Sequence, residues 1–210
     1  MADEMIRIRN ARSDEVAILA EVEGYCWPNG LAATAEFFGS RIRTYTEGQW
    51  IAELGGEVVA VASSQRISEN FLASGPVRYD ILTDRGRFTR SHDPRGEVLH
   101  LVSVSVLPGV RGFGVGRKLV DHEIAVARAL AGVQRIIGIT RPRRFSRHPG
   151  MSIEEYVAAR TENGSFIDPV ISFHLGSGAR LVSIHAGYRP EDTDAGGYGV
   201  MVEYNIQDGR

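Results

Sequence analysis

Arg111-Gly112-Phe113-Gly114-Val115-Gly116 lies between the most strand-like stretch of the chain, Val98 to Leu107, and its clearest helical one, Gly116 to Ala131. Three glycines at alternate positions let successive backbone N–H groups converge, and a helix that follows adds its positive N-terminal end. Such a loop suits a phosphate or pyrophosphate. The same residues also make an ordinary structural turn, so the surroundings decide. Gly116 is followed by Arg117 and Lys118 with no Ser or Thr, which disfavours a nucleoside-triphosphatase loop. A dinucleotide-binding fold normally opens with its glycine motif at the first strand, whereas this one arrives after a hairpin.

Working outward, Gln134 to Thr140 reads as a second buried strand, so the glycine loop sits inside a βαβ unit. Upstream, Met5 to Arg9 alternates as a half-buried strand. Ser13, Asp14 and Glu15 supply a cap and acidic first turn for a helix with Val16, Leu19 and Ala20 on one face, closed by Trp27-Pro28-Asn29-Gly30. A second helix is expected over Leu31 to Tyr45. Gly55-Gly56 then joins Trp50–Leu54 to Val58–Ile67 as a hairpin. Downstream, the capping box Ser152-Ile153-Glu154-Glu155 starts a short helix to about Thr161. Val170 to Leu175 predicts another short helix, and Leu181–Ala186 and Gly199–Tyr204 the last strands. Polar and turn residues mark two insertions, about 68–97 and 141–169. The expectation is one α/β domain over residues 1–210.

The composition is that of an ordinary globular chain: 210 residues, 43% hydrophobic and 24% charged, with a formal charge of -2. That balance offers no global attraction for nucleic acid or an anionic membrane. The single cysteine, Cys26, rules out an internal disulfide and multi-cysteine metal sites, and points to a reducing, cytoplasmic setting. No signal-peptide pattern or membrane-length apolar run is present. His100, His122, His148 and His185 lack metal-ligand spacing and read as structural, so no metal is expected.

Arg-Gly-x-Gly-x-Gly after a strand ending near residue 107 resembles the pyrophosphate-binding motif of the GNAT acyltransferase superfamily, and the order of elements over Ile6 to Tyr204 is similar to that family's. The resemblance implies a single GNAT-like domain with a central mixed, twisted sheet and flanking helices. It implies that Arg111, Gly112, Phe113, Gly114, Val115 and Gly116 hold the diphosphate of coenzyme A or a phosphopantetheine arm. Two departures stand out. Where the family often has a tyrosine acid in a Phe-Tyr-x-x-x-Gly-Phe run, this chain has Phe173-His174-Leu175-Gly176. Its central strand, His100-Leu101-Val102-Ser103-Val104-Ser105-Val106, carries no carboxylate base beyond Glu97 at its start.

These departures resemble a narrower group, the GNAT-like domains of polyketide synthase loading modules of the curacin type. That resemblance implies decarboxylation of a malonyl or methylmalonyl thioester, with possible transfer of the acyl group to an acyl carrier protein. It implies Thr140 and His174 as catalytic residues, and Arg189, in Gly187-Tyr188-Arg189-Pro190, as a substrate-binding one. The chemistry agrees with the first two. Losing CO₂ leaves an enolate whose charge gathers on the thioester oxygen, so the site needs donors aimed at that oxygen rather than a strong base. His174 also offers a proton for the enolate carbon, directly or through water. A tight salt bridge from Arg189 to the malonyl carboxylate would favour the ground state, so its expected part is to orient the acyl or pantetheine unit. Trp27 and the first insertion are expected to wall an acyl tunnel. The basic run Arg141-Pro142-Arg143-Arg144-Phe145-Ser146-Arg147-His148 would meet an acidic carrier or the 3′-phosphate of coenzyme A, or lie solvated. The competing functions are a coenzyme A-dependent N-acyltransferase for an amine and a binding-only domain.

Overall fold

Parallel strands cannot be joined by a tight turn, and the βαβ unit around the glycine loop shows the consequence. In the computed structural model, which describes residues 6–28 and 30–207, β4 (Val98–Val106) runs parallel to β5 (Arg135–Thr140) with α5 (Val115–Ala129) as the crossover. Met5 and Asn29, in the expected first strand and turn, lie outside the described residues. Before this unit come β1 (Arg7–Asn10), α1 (Val16–Cys26), α2 (Ala35–Thr44), β2 (Gln49–Leu54), β3 (Glu57–Ile67), α3 (Glu69–Ala73) and α4 (Tyr79–Leu82). After it come α6 (Ile153–Ala158), α7 (Pro169–Gly176), β6 (Ala179–His185) and β7 (Gly199–Tyr204). The seven strands form one mixed sheet, β1-β2-β3-β4-β5-β7-β6, antiparallel at every neighbour except β4–β5.

Two irregularities in β4 prepare the site. Its pairing with β5 stops at Leu101↔Gly138, although β4 stays paired to β3 as far as Val106 and β5 to β7 as far as Thr140. The two parallel strands therefore part and leave a cleft between them. Opposite Ser63/Ser64 the register also slips by one residue, leaving Val102 without a partner. A one-residue slip exchanges the faces of a strand. Leu99 and Leu101 pack on Val120, Ile124 and Ala127 of α5, but beyond the bulge Ser103 and Ser105 turn toward α1.

Both sheet faces are covered. Leu19 and Val22 of α1 pack with Phe38 and Ile42 of α2 over Ile51 and Val61, while Val115 and Leu119 of α5 cover Trp50, Ala60 and Ala62 on the reverse. The insertions are folded against the sheet rather than open loops. Leu72 and Leu82 seal the first against Ile67, Val98 and Ile137. Ile153, Tyr156 and Val157 seal the second against Ile171 and Val200. At roughly 1.5–3 kcal/mol for each large apolar side chain buried, each insertion contributes to stability in its own right.

Local differences from the sequence expectations have simple causes. α1 begins later than its Ser13 cap would place it, at Val16, with Glu15 in the cap position and its carboxylate taken by Arg9 at 2.6 Å rather than by the helix N–H groups. α2 begins at Ala35 because Thr34, not a residue near Leu31, supplies the cap by accepting from Phe37 N–H. α6 keeps its capping box but stops at Ala158, since Ala159 is extended. The hairpin turn is as expected, Gly55 and Gly56 both having positive φ (61° and 87°).

Candidate active site

The cleft between β4 and β5 opens into a cavity of about 510 Å³ bounded by Leu101–Val106, Gly138–Thr140, the start of α5 and the Pro169–His174 face of α7. At its mouth the glycine loop is shaped by two positive φ angles, 89° at Gly112 and 77° at Gly114. Gly116 is small for another reason: a Cβ there would stand 3.3 Å from Val106 Cγ2 and 3.4 Å from Phe173 Cε2. No side chain caps α5, so the N–H groups of its first turn stay available to an anion. Arg111, Gly112, Gly114, Val115 and Gly116 all line the cavity. Phe113 does not; it is 71% exposed.

Thr140 is the last residue of β5 and lines the cavity, buried, with an Oγ1 that has no hydrogen-bond partner among the described residues. His174 reaches the same cavity from α7. That helix is fixed at its start by Asp168, whose Oδ1 accepts from the N–H groups of Val170 and Ile171 at 2.8 and 2.9 Å, with Pro169 in the first turn. Nδ1 of His174 lies 2.6 Å from the hydroxyl of buried Tyr204 on β7. Burial lowers the His174 pKa to about 4, so the imidazole is neutral at physiological pH.

The α1 side of the cavity is built on a buried carboxyl group. Glu23 accepts from Ala33 N–H at 3.1 Å and from the hydroxyls of Ser103 and Ser105 at 3.3 and 3.5 Å. Desolvation raises its pKa, opposed by the charge of Arg41. Both serines line the cavity, as does Trp27; Glu23 does not. Among the lining residues there is no Asp or Glu, but there are four arginines, Arg111, Arg117, Arg141 and Arg143. Arg141 is held by a bidentate pair with buried Asp192 at 2.6 and 2.5 Å, which removes it from the exposed basic run. Arg144 and Arg147 remain exposed.

Arg189 is placed elsewhere than expected. It does not line this cavity; its Nη2 donates to Leu31 O at 2.6 Å and its guanidinium stacks 4.2 Å from the Tyr79 ring. It faces a second cavity of about 330 Å³ that also takes in Arg78, Arg85 and Tyr188. Trp27 joins the two regions, with the Arg141 and Arg189 guanidinium carbons 5.8 and 5.6 Å from its ring centroid. Thus Thr140 and His174 line one cavity, and Arg189 lines another. Glu23, Asp168 and Tyr204 were missed from sequence. Glu23 left a signal there, four residues after Leu19 on the apolar stripe of its helix, and so did Asp168, which with Pro169 makes a helix-start signature just before Val170; Tyr204 left none. Among the described residues no group of His, Cys, Asp or Glu is placed to hold a metal ion, and no helix is long and apolar enough to cross a membrane.

The acetyltransferase (GNAT) family model matches residues 17–148, which takes in β2 to β5, the glycine loop and the parted strands. The chain belongs to the GNAT family. A second model, the malonyl-CoA decarboxylase C-terminal domain, matches residues 148–208, the part of the GNAT domain that carries His174, Arg189 and Tyr204. Among solved structures, the GNAT-like decarboxylase GphF in complex with isobutyryl-CoA is 35% identical, with a TM-score of 0.84 over 96% of this chain and 100% of that one. The loading GNATL domain of CurA from Lyngbya majuscula is 27% identical, with a TM-score of 0.86 over 98% of this chain and 100% of that one. The probable hydrolase YhcX of Bacillus subtilis is 30% identical over 201 residues, 96% of this chain. The chain spans 39% of that relative's length.

Proposed function

We propose that this GNAT domain decarboxylates a malonyl or methylmalonyl thioester, carried by coenzyme A or by the phosphopantetheine of an acyl carrier protein. The observation that carries the reading is the pairing, in one cavity, of the unpartnered Thr140 hydroxyl with the neutral imidazole of His174, in a lining without any carboxylate. Amine acylation needs a base for the ammonium. The carboxyl group of Glu23 meets the cavity only through Ser103 and Ser105 and is itself engaged by three donors. The similarity to GphF, a GNAT-like decarboxylase solved with isobutyryl-CoA bound, supports the same chemistry and the same thioester class.

In the proposed step the bond between the α-carbon and the carboxylate breaks, CO₂ leaves, and the electron pair moves onto the thioester oxygen. Thr140 Oγ1–H and an imidazole N–H of His174 donate to that oxygen as its charge grows. Each such donor is worth about 10²–10³ in rate. With a pKa of about 4 the imidazole has no spare proton at neutral pH, so His174 fits the oxygen-donor part better than that of proton source. Water returns a proton to the α-carbon. Arg111 and the free N–H groups of α5 would hold the pyrophosphate, and Trp27 would wall the acyl group. Arg189, behind Trp27, would hold that wall rather than touch the acyl unit. Arg143 at the cavity mouth and exposed Arg144 and Arg147 suit the 3′-phosphate of coenzyme A or an acidic carrier protein.

The test is intact-mass analysis of malonyl- and methylmalonyl-loaded carrier protein, and of the coenzyme A thioesters, after incubation with the domain. Loss of one CO₂, reduced about 10²–10³-fold by Thr140→Val and by His174→Ala, is the expected result. Acetyl-CoA consumption only when an amine is present would move the assignment to N-acyl transfer.

A further inference from the structure

We propose that Tyr204 is a positioning residue that sets the tautomer of His174, placing the imidazole proton on Nε2, where it faces the cavity. The inference rests on the decarboxylase reading for its catalytic consequence, but not for its geometry. The His174 ring has one hydrogen-bond partner among the described residues, the Tyr204 hydroxyl 2.6 Å from Nδ1. That hydroxyl in turn has one partner among the described residues, Nδ1, and Tyr204 is only 3% exposed. Two arrangements are open to such a pair. If Nδ1–H donated to the phenol oxygen, the phenol proton would be buried with nothing to accept it, an arrangement folded proteins avoid. If the phenol donates, both groups are satisfied and the neutral imidazole must carry its proton on Nε2.

The surroundings keep this donor in place. Burial first, then the nearby carboxyl groups of Glu123 and Asp121 on α5, raise the Tyr204 pKa far above the ordinary phenol range against the opposing charge of Arg117, so the hydroxyl stays protonated. His174 remains neutral, so Nδ1 keeps the lone pair that accepts. The backbone that carries the phenol sits inside the sheet, Tyr204 being paired with Ile136 of β5 on one side and Ala179 of β6 on the other, and the side chain is buried. The phenol proton therefore has a fixed destination. Nε2 makes no hydrogen bond within the described residues, and His174 lines the cavity. The result is an N–H donor held ready for the thioester oxygen without any proton transfer beforehand. A histidine free to change tautomer would present a lone pair there part of the time, which repels rather than stabilises a developing oxyanion.

The experiment is ¹⁵N NMR of histidine-labelled protein, with the His174 signals assigned by their loss in His174→Ala, alongside kinetics on methylmalonyl-CoA. The expected wild-type spectrum shows a protonated Nε2 and an unprotonated Nδ1 for His174 at neutral pH. Tyr204→Phe, which keeps the ring, is expected to give a mixture of tautomers and to lower kcat about 10- to 100-fold with KM little changed. A wild-type His174 protonated on Nδ1 overturns the proposal, whether or not the variant folds. So does Tyr204→Phe with an unaltered tautomer, whatever its kcat. A wild type that shows the Nε2–H tautomer yet decarboxylates no malonyl thioester would leave the tautomer assignment standing and remove the catalytic reading instead.

Discussion

The indole N–H of Trp27 donates to Ser105 Oγ across 3.0 Å, tying the end of α1 to the outer half of β4, where that strand has parted from β5. Trp27 thereby becomes a fixed wall of the cavity rather than a mobile side chain. Shortening that wall should widen the acyl region without touching Thr140 or His174. Trp27→Phe is expected to shift the ratio of kcat/KM values toward the bulkier acyl thioester by about 10-fold, one methyl-sized increment of space being worth roughly 1–3 kcal/mol. Competition between malonyl- and methylmalonyl-CoA, read by product mass, measures it. An unchanged ratio would mean that another surface limits the acyl group.

Glu23 decides what those serines show to the cavity. Its carboxylate takes the protons of both Ser103 and Ser105, so their oxygens reach the cavity as acceptors and offer a malonyl carboxylate no grip. In Glu23→Gln the amide oxygen must stay toward Ala33 N–H, which turns the NH₂ group toward the serines and frees their protons to point inward. Binding the carboxylate more tightly stabilises the substrate but not the transition state from which that charge departs. The variant is therefore expected to lower kcat and KM together, by similar factors, in steady-state decarboxylation. A fall in kcat with KM raised would contradict this account.

How much of this was legible in the sequence follows from the range of each interaction. The glycine loop, the βαβ unit, the hairpin and the capping box of α6 are written in local spacing and were read correctly. Thr140 and His174 were reached through motif order, and the structure brings them to one cavity from β5 and α7. What stayed hidden depends on register. A single bulge opposite Ser63/Ser64 sends Ser103 and Ser105 to the α1 side, and no residue pattern announces it. Tyr204 lies 30 residues from His174, in a strand whose nearly continuous apolar run says only that it is buried. Arg189, expected to orient the acyl or pantetheine unit, is engaged by Leu31 O and the faces of Tyr79 and Trp27, contacts between segments too far apart in the chain to be read from it.

The glycines of the loop should separate by mechanism when replaced. Gly114 has a φ of 77°, so Gly114→Ala strains the backbone at the start of α5 and should cost about 1–2 kcal/mol in denaturant unfolding. Gly116 has ordinary helical geometry, and an added methyl group would press on Val106 and on the Phe173 ring beside His174. In Gly116→Ala the helix propensity that alanine gains offsets this contact, so stability should change little while coenzyme A binding weakens about 10-fold by calorimetry. Equal effects of the two variants on both measurements would show that the loop acts only as a turn.

Two buried groups give stability opposite slopes in pH. His100 on β4 is fully buried with neither ring nitrogen partnered, and desolvation holds its pKa at about 4. The unfolded chain takes up a proton there below about 6.5 and the fold refuses it, so His100 alone should lower stability by about 3 kcal/mol as pH drops from 6.5 to 4, with His174 adding to the same limb. Glu123 on α5 is the reverse case: burial, opposed only by the nearby Ser64 hydroxyl, raises its carboxyl pKa to about 8. The unfolded carboxyl ionises above about 4.5 while the folded one stays neutral, so its contribution is intact below 4.5 and is lost as pH rises toward 8. Glu123→Gln should thus raise the unfolding free energy more at pH 8 than at pH 5, and His100→Leu should flatten the acid limb. Urea unfolding at pH 5, 6.5 and 8 reads both slopes, and a Glu123→Gln gain that is the same at pH 5 and pH 8 would mean that the folded carboxyl is already ionised.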